Sequence, residues 1–307
     1  YYHVPHMTMS MRLADLIKAL WTPDATIVTA SLMQIHALVD ERTTGKQQSS
    51  TSELSDNTLE LGVVRKGGHL ALVHALQAHP KVDAIQALGF GALSWLCETC
   101  NVKSALVSKG AVPMVCRVLS TTNAPPPPPM VLTEALYFLG HLSTLPKVAE
   151  QVTVRDVTFL YQVVTRLSRC SIDDGPSSEE DESVVDAMFF LCQRLAAHHS
   201  MAILRSMWHA GCLTFIVRHL QDSVAEYQAD PACLAQEEAR IETGCRILTA
   251  WVKTKCGTAD RSRIVQRLIE AGALTVAAEL VRLFPVGTPL RRVANPCLRG
   301  MVPVSED

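Results

Sequence analysis

A chain of 307 residues, 48 % of them hydrophobic, can bury a large core, and its formal net charge of −2 leaves no broad basic surface for nucleic acid or an anionic membrane. Aromatic residues make up only 5 % while Ala, Leu and Val dominate; Ala and Leu favour helices, because side chains not branched at Cβ keep their rotamer freedom there. No apolar run is long enough to span a bilayer, so membrane insertion is not expected.

Residues 1–10 read as an N-terminal extension, and a repeat array is expected over 11–284. The start, Tyr1-Tyr2-His3, has no initiator Met and no signal-peptide pattern, which suggests a fragment of a longer chain. The first long amphipathic helix is expected over 26–40, followed by a Ser-, Thr- and Gln-rich loop over 42–57. Gly67-Gly68 then leads a short apolar helix over 70–77. The next long helix, 82–98, places Ile85, Leu88, Ala92, Leu93 and Leu96 at three- and four-residue steps, one apolar stripe. A short helical piece at 102–108 runs into Gly110, and Pro113 fits the first turn of the helix over 113–119, where its missing N–H is not needed.

The segment 121–130 holds Pro125, Pro126, Pro127, Pro128 and Pro129, which read as polyproline II. They could serve as a stiff spacer or as a ligand for an aromatic groove. After a long helix over 131–144, Arg155 stands where another leading glycine would fall, ahead of a helix over 157–167. Residues 171–183 are acidic and poor in apolar side chains, which predicts a disordered insertion. Within it Ser177 and Ser178 each have an acidic residue three positions on, a pattern open to acidophilic kinases. Long helices follow over 183–198 and 237–253. Gly211 and Gly272 lead shorter ones over 213–220 and 274–284, with a further insertion at 222–236 and a short piece at 264–271. From residue 285 on, Pro289, Pro296 and Pro303 suggest a tail or linker.

The recurring unit is thus a short helix, a sharp glycine bend, a helix and a longer helix. A chain that turns sharply between helices needs a residue tolerant of positive φ, and Gly adopts that conformation cheaply. Gly67 and Gly110 are 43 residues apart, Arg155 lies 45 further on, and the next steps are 56 and 61. Self-similarity near 40 residues marks a helical solenoid. Helix pairs of HEAT type are an alternative, but they lack the glycine-led triplet.

The order Ile85-Gln86-Ala87-Leu88, Ala92-Leu93-Ser94-Trp95-Leu96-Cys97, Asn101, Ala105-Leu106-Val107, Gly110-Ala111-Val112-Pro113 resembles the armadillo repeat family almost in register. The resemblance is strongest over 60–120. It implies an all-α, right-handed α-solenoid of about five three-helix repeats, whose third helices line a concave binding face. In peptide-binding branches of that family an Asn near the end of each third helix clamps a peptide backbone, one turn after a Trp. The matching Asn positions here are Ala37, Trp95, His141, Arg194 and Trp251; the matching Trp positions are Met33, Gly91, Tyr137, Phe190 and Ile247. No copy keeps the Asn, whose amide supplies both a donor and an acceptor, which argues against a receptor for nuclear-localisation signals. What the resemblance leaves is a candidate face made of Trp95, His141, Arg194 and Trp251, with Tyr137 and Phe190. Trp and Arg are common interface hot spots. The alternative for Trp95 and Trp251 is that they fill space between repeats, whereas Arg194 is less easily buried.

Catalytic signatures are missing: there is no phosphate-cradling Gly-rich loop and no GxSxG elbow. Cys97-Glu98-Thr99-Cys100 is a single CxxC at a helix end, without the second pair of a zinc site. His69, His74 and His79, at steps of five, do not share a helix face, and His198-His199 with Cys192 make no recognisable ligand set. Ten scattered cysteines suit a reduced interior, hence a cytoplasmic or nuclear location. The expected function is a non-catalytic protein-interaction scaffold or adaptor, binding a protein partner without metal, cofactor or nucleic acid. The alternatives are an exchange-factor or chaperone-like regulator, and an accessory segment of a larger kinase or ubiquitin ligase.

Overall fold

The computed structural model describes residues 13–43, 59–120, 127–155, 157–173, 179–230 and 234–302, and every element among them is helical. The expectations for 1–10, for 44–57, for Pro125 and Pro126, and for Ser177 and Ser178 fall outside these residues. The chain divides into two compact units, Tyr1–Met114 and Val115–Asp307.

The first unit holds α1 (Leu13–Ala19), α2 (Ala25–Thr43), α3 (Leu59–Arg65), α4 (Gly68–Ala78), α5 (Asp83–Thr99) and α6 (Lys103–Ser108). Helix α7 (Ala111–Ser120) contains the division. In the first unit α5 packs on both α2 and α4. Of the stripe read from the spacing, Ile85, Ala92, Leu93 and Leu96 are buried and Leu88 is half-buried, and Phe90 of the same helix is buried as well. Buried Gln86 donates from its Nε2 to the carbonyls of Leu76 (2.9 Å) and His79 (3.1 Å). It thereby satisfies acceptors that the end of α4 leaves open.

The second unit holds α8 (Pro129–Leu142), α9 (Pro146–Glu150), a π-helical turn (Gln151–Arg155), α10 (Val157–Asp173), α11 (Glu179–Ala196), α12 (Met201–His209), α13 (Cys212–Ala229), α14 (Leu234–Lys253), α15 (Thr258–Glu270), α16 (Ala273–Leu283) and α17 (Pro289–Met301). Helices α8, α11, α14 and α17 pack in succession, each on the next, while α10, α13 and α16 form a second row in the same order.

Gly67, Gly110, Gly211 and Gly272 all adopt the left-handed conformation, with φ of 74°, 81°, 85° and 87°. Each immediately precedes a helix (α4, α7, α13 and α16), as the repeat motif requires. Arg155 is not among the residues with positive φ. In that copy the bend gives way to the π-helical turn, which lets a helical path adjust without a left-handed residue.

Histidines tie neighbouring long helices together. The Nε2–H of His36 donates to the Leu88 carbonyl of α5 at 2.8 Å. In the second unit His198 Nε2 donates to the Ser143 carbonyl beyond α8 at 2.6 Å, and His199 Nδ1 to the Ala250 carbonyl of α14 at 3.3 Å. His199 has φ of 49°, a left-handed residue just beyond the end of α11, where Gly is the usual choice.

Four expectations are corrected. The tail from 285 is not a linker: Thr288 accepts from the Arg291 N–H, Pro289 occupies the first turn, and Leu290, Ala294, Cys297 and Met301 bury one side of α17. Its prolines mask that stripe: Pro289 suits the first turn, where its missing N–H is not needed, while Pro296 lies inside the helix at the cost of one backbone hydrogen bond. The insertion at 222–236 is mostly helix, because α13 runs to Ala229 with Ser223 and Val224 buried. Of the acidic segment 171–183, residues up to Asp173 finish α10 and those from Glu179 open α11, where carboxylates favour a helix N-terminus. In the proline run, Pro128 is polyproline-like (φ −53°, ψ 150°), but Pro129 begins α8.

An alanine Cβ at residue 67 would meet no atom within 4 Å, so Gly67→Ala isolates the backbone cost of a left-handed residue. It is expected to lower stability by about 1–2 kcal/mol in urea unfolding, whereas Arg155→Gly brings no gain.

Candidate interaction face

Helix α8 reaches α11 closely because Gly140 has no side chain. A Cβ there would lie 2.6 Å from the Phe190 ring. Phe190 fills that space and tilts against Tyr137 and His141, with ring centroids 5.3 and 4.9 Å away. One turn along α11, the Arg194 guanidinium carbon sits 4.7 Å from the centre of the Phe190 ring, a cation–π contact. Arg194 Nε is buried and makes no hydrogen bond. Four sequence-predicted residues, Tyr137, His141, Phe190 and Arg194, therefore form one cluster. His141 is buried, and the other three are half-buried.

The remaining two candidates do not join it in the second unit. Trp251 is 2 % exposed and lines a small cleft with Leu204, Trp208 and Ile264, on the side of α12 and α15. It is a core residue: α15 covers it, Arg267 stacks 4.4 Å over Trp208, and Arg205 pairs with Asp260 at 2.7 Å. Trp95 belongs to the first unit, half-buried on α5.

A charged network lies near Tyr137 of the cluster. Arg240 of α14 donates to Asp186 of α11 at 2.9 Å and to Glu237 at 3.1 Å, and Glu237 accepts from Ser223 of α13. Burial, then the nearby carboxylates of Asp186 and Glu134, push the Tyr137 hydroxyl above its ordinary pKa. His219 packs on Phe215 at 4.4 Å, and burial with the Arg240 and Arg218 charges pushes it down to about 4.

Sequence reasoning missed an open groove of about 410 Å³ across α11, α14 and α17. It begins at Gln193, next to Arg194, and includes Arg246, Thr249, Lys253 and Arg292. Its sequence signal was slight: Lys253 closes α14, Arg246 lies two turns earlier, and Arg292 stands in the first turn of α17, in the segment that reads as a tail. Among the described residues no group of His, Cys, Asp and Glu could hold a metal, and no disulfide joins the cysteines. Burial holds Cys97 of the CxxC at about 12, a poor thiolate. Among the same residues no helix is long and apolar enough to cross a membrane.

No known protein-family model matches the chain, and no curated protein matches it. Solved structures do resemble it. One, from work on a conserved phosphorylation switch controlling the interaction between cadherin and beta-catenin, aligns with a TM-score of 0.68 at 16 % identity, over 94 % of this chain and 52 % of the other. The crystal structure of an engineered protein aligns with a TM-score of 0.60 at 14 % identity, over 95 % and 97 %. At such identities the likeness is one of fold, an all-helical arrangement consistent with armadillo-like repeats.

Gly140→Ala forces Phe190 off Tyr137 and His141, so it is expected to cost about 1–3 kcal/mol in thermal unfolding, with a changed near-ultraviolet spectrum. The His219 shift has a defined sign. The unfolded chain takes up this proton near pH 6.5 and the folded chain only near 4, so the stability it contributes is full above 6.5 and is lost as pH falls towards 4. Wild type should lose up to about 3 kcal/mol relative to His219→Leu across that window in urea unfolding. A pH-independent difference between the two would contradict this.

Proposed function

We propose that this chain is a non-catalytic protein-interaction scaffold, a right-handed solenoid of about five armadillo-like repeats that binds its partner on the long-helix face. In this reading α8, α11, α14 and α17 are third helices, and α17 completes a final triplet with α15 and α16. The observation that carries it is the cluster of Tyr137, His141, Phe190 and Arg194, with the groove beginning beside it. Half-buried aromatic rings beside a guanidinium suit a protein contact, since Tyr and Arg supply large rigid area and directional charge. The absence of the Asn ladder means that side chains, more than a backbone clamp, choose the ligand. The fold likeness to a structure described by a cadherin–beta-catenin interaction supports a binding role in the same general sense.

The test is capture from cell extract with wild type, with Tyr137→Ala/Arg194→Ala, and with Tyr161→Ala, which alters an exposed residue of α10. Partner recovery should fall about tenfold or more with the double variant, a loss of at least about 1.4 kcal/mol, and stay unchanged with Tyr161→Ala. Equal recovery from a folded double variant would overturn the assignment.

A further inference from the structure

The groove across α11, α14 and α17 has a chemical bias of its own. Arg246, Lys253 and Arg292 line it, and no carboxylate does. Arg246 forms an exposed i,i+4 pair with Glu242, an interaction of little strength that competes weakly with a ligand. No ion pair among the described residues engages Lys253 or Arg292. Arg246 and Lys253 are two turns apart on one helix, about 10 Å along its axis, so these charges are strung along the groove and do not converge on one point. Between them Thr249 Oγ1 is buried without a hydrogen-bond partner, and Gln193 offers an amide donor and acceptor from the opposite wall.

We infer that this groove takes an extended acidic peptide, with carboxylates spaced two or three residues apart on Arg246, Lys253 and Arg292, and with its backbone against Thr249 and Gln193. This rests on the proposed long-helix binding face and names the partner's chemistry. Carboxylates on one side of an extended chain recur every 7 Å or so, which matches cations spread over about 10 Å better than a single phosphate does. A nucleic-acid strand fits less well, since such sites pair their cations with aromatic platforms, and the groove's lining holds no Phe, Tyr or Trp, only the imidazole of His199, which bonds to the Ala250 carbonyl.

The experiment is fluorescence anisotropy with a fluorescein-labelled Glu-Ser repeat peptide, a Lys-Ser repeat of equal length, and oligodeoxythymidine. Wild type should bind the acidic peptide alone, about tenfold more weakly in high salt because exposed charges are screened. Lys253→Glu/Arg292→Glu changes two exposed residues; with an unaltered circular dichroism spectrum it should lose that binding, and Lys253→Gln/Arg292→Gln should lose part of it. No binding by wild type, equal binding by the folded charge-reversed variant, or equal affinity for oligodeoxythymidine would each overturn the inference. If the acidic peptide fails while Tyr137→Ala/Arg194→Ala still loses its partner, the groove assignment falls and the scaffold reading stands. If the peptide binds in a groove-dependent way while that double variant keeps its partner, the groove assignment holds and the cluster's role falls.

Discussion

Close approach of long helices in the second unit is the constraint on which the candidate face depends. Phe190 can tilt in against Tyr137 and His141 only because Gly140 presents bare backbone beneath it. That contact brings Arg194 over the ring, and it sets α11 at a distance where His198 can reach the carbonyl beyond α8. On the other side of α11, His199 and Asp186 make the corresponding links to α14, through Ala250 and Arg240. The row is therefore locked by directional polar bonds as well as apolar burial, which fixes its spacing more tightly than burial alone.

The two rows of helices divide the labour. In the second unit the glycine-led helices α13 and α16 carry continuous apolar faces and supply core. The long helices bury one side and leave the other for Arg246, Lys253, Gln193 and the Phe190 cluster. In the proposed reading the contact residues sit mainly on α11 and α14, whose positions are set by packing on both flanks. Binding residues on such rigid elements lose less conformational freedom when a ligand arrives.

Much of this was legible in the chain, and the exceptions have physical reasons. Left-handed glycines at 67, 110, 211 and 272 follow from a local requirement of the turn, so sequence reveals them. The stripe of α5 was readable from spacing, whereas the histidine, tyrosine, phenylalanine and arginine of the cluster came from the resemblance to the armadillo pattern. Pro289 and Pro296 hid α17, because a proline that breaks a helix and one that starts it look alike without the burial of Leu290, Ala294, Cys297 and Met301. For Trp251 the sequence left interface and space-filling core both open, because register along a helix fixes a face only to within a fraction of a turn; α15 covers the side on which it lies. The groove was obscured for a related reason, since one of its walls is α17.

The central claim is that the long-helix row, and not the glycine-led row, meets the partner. Hydrogen–deuterium exchange of the chain alone and saturated with its captured partner measures this directly. Slowed exchange concentrated in α8, α11 and α14 is the predicted result, with α10, α13 and α16 unchanged. Protection confined to α10, α13 and α16 would contradict it.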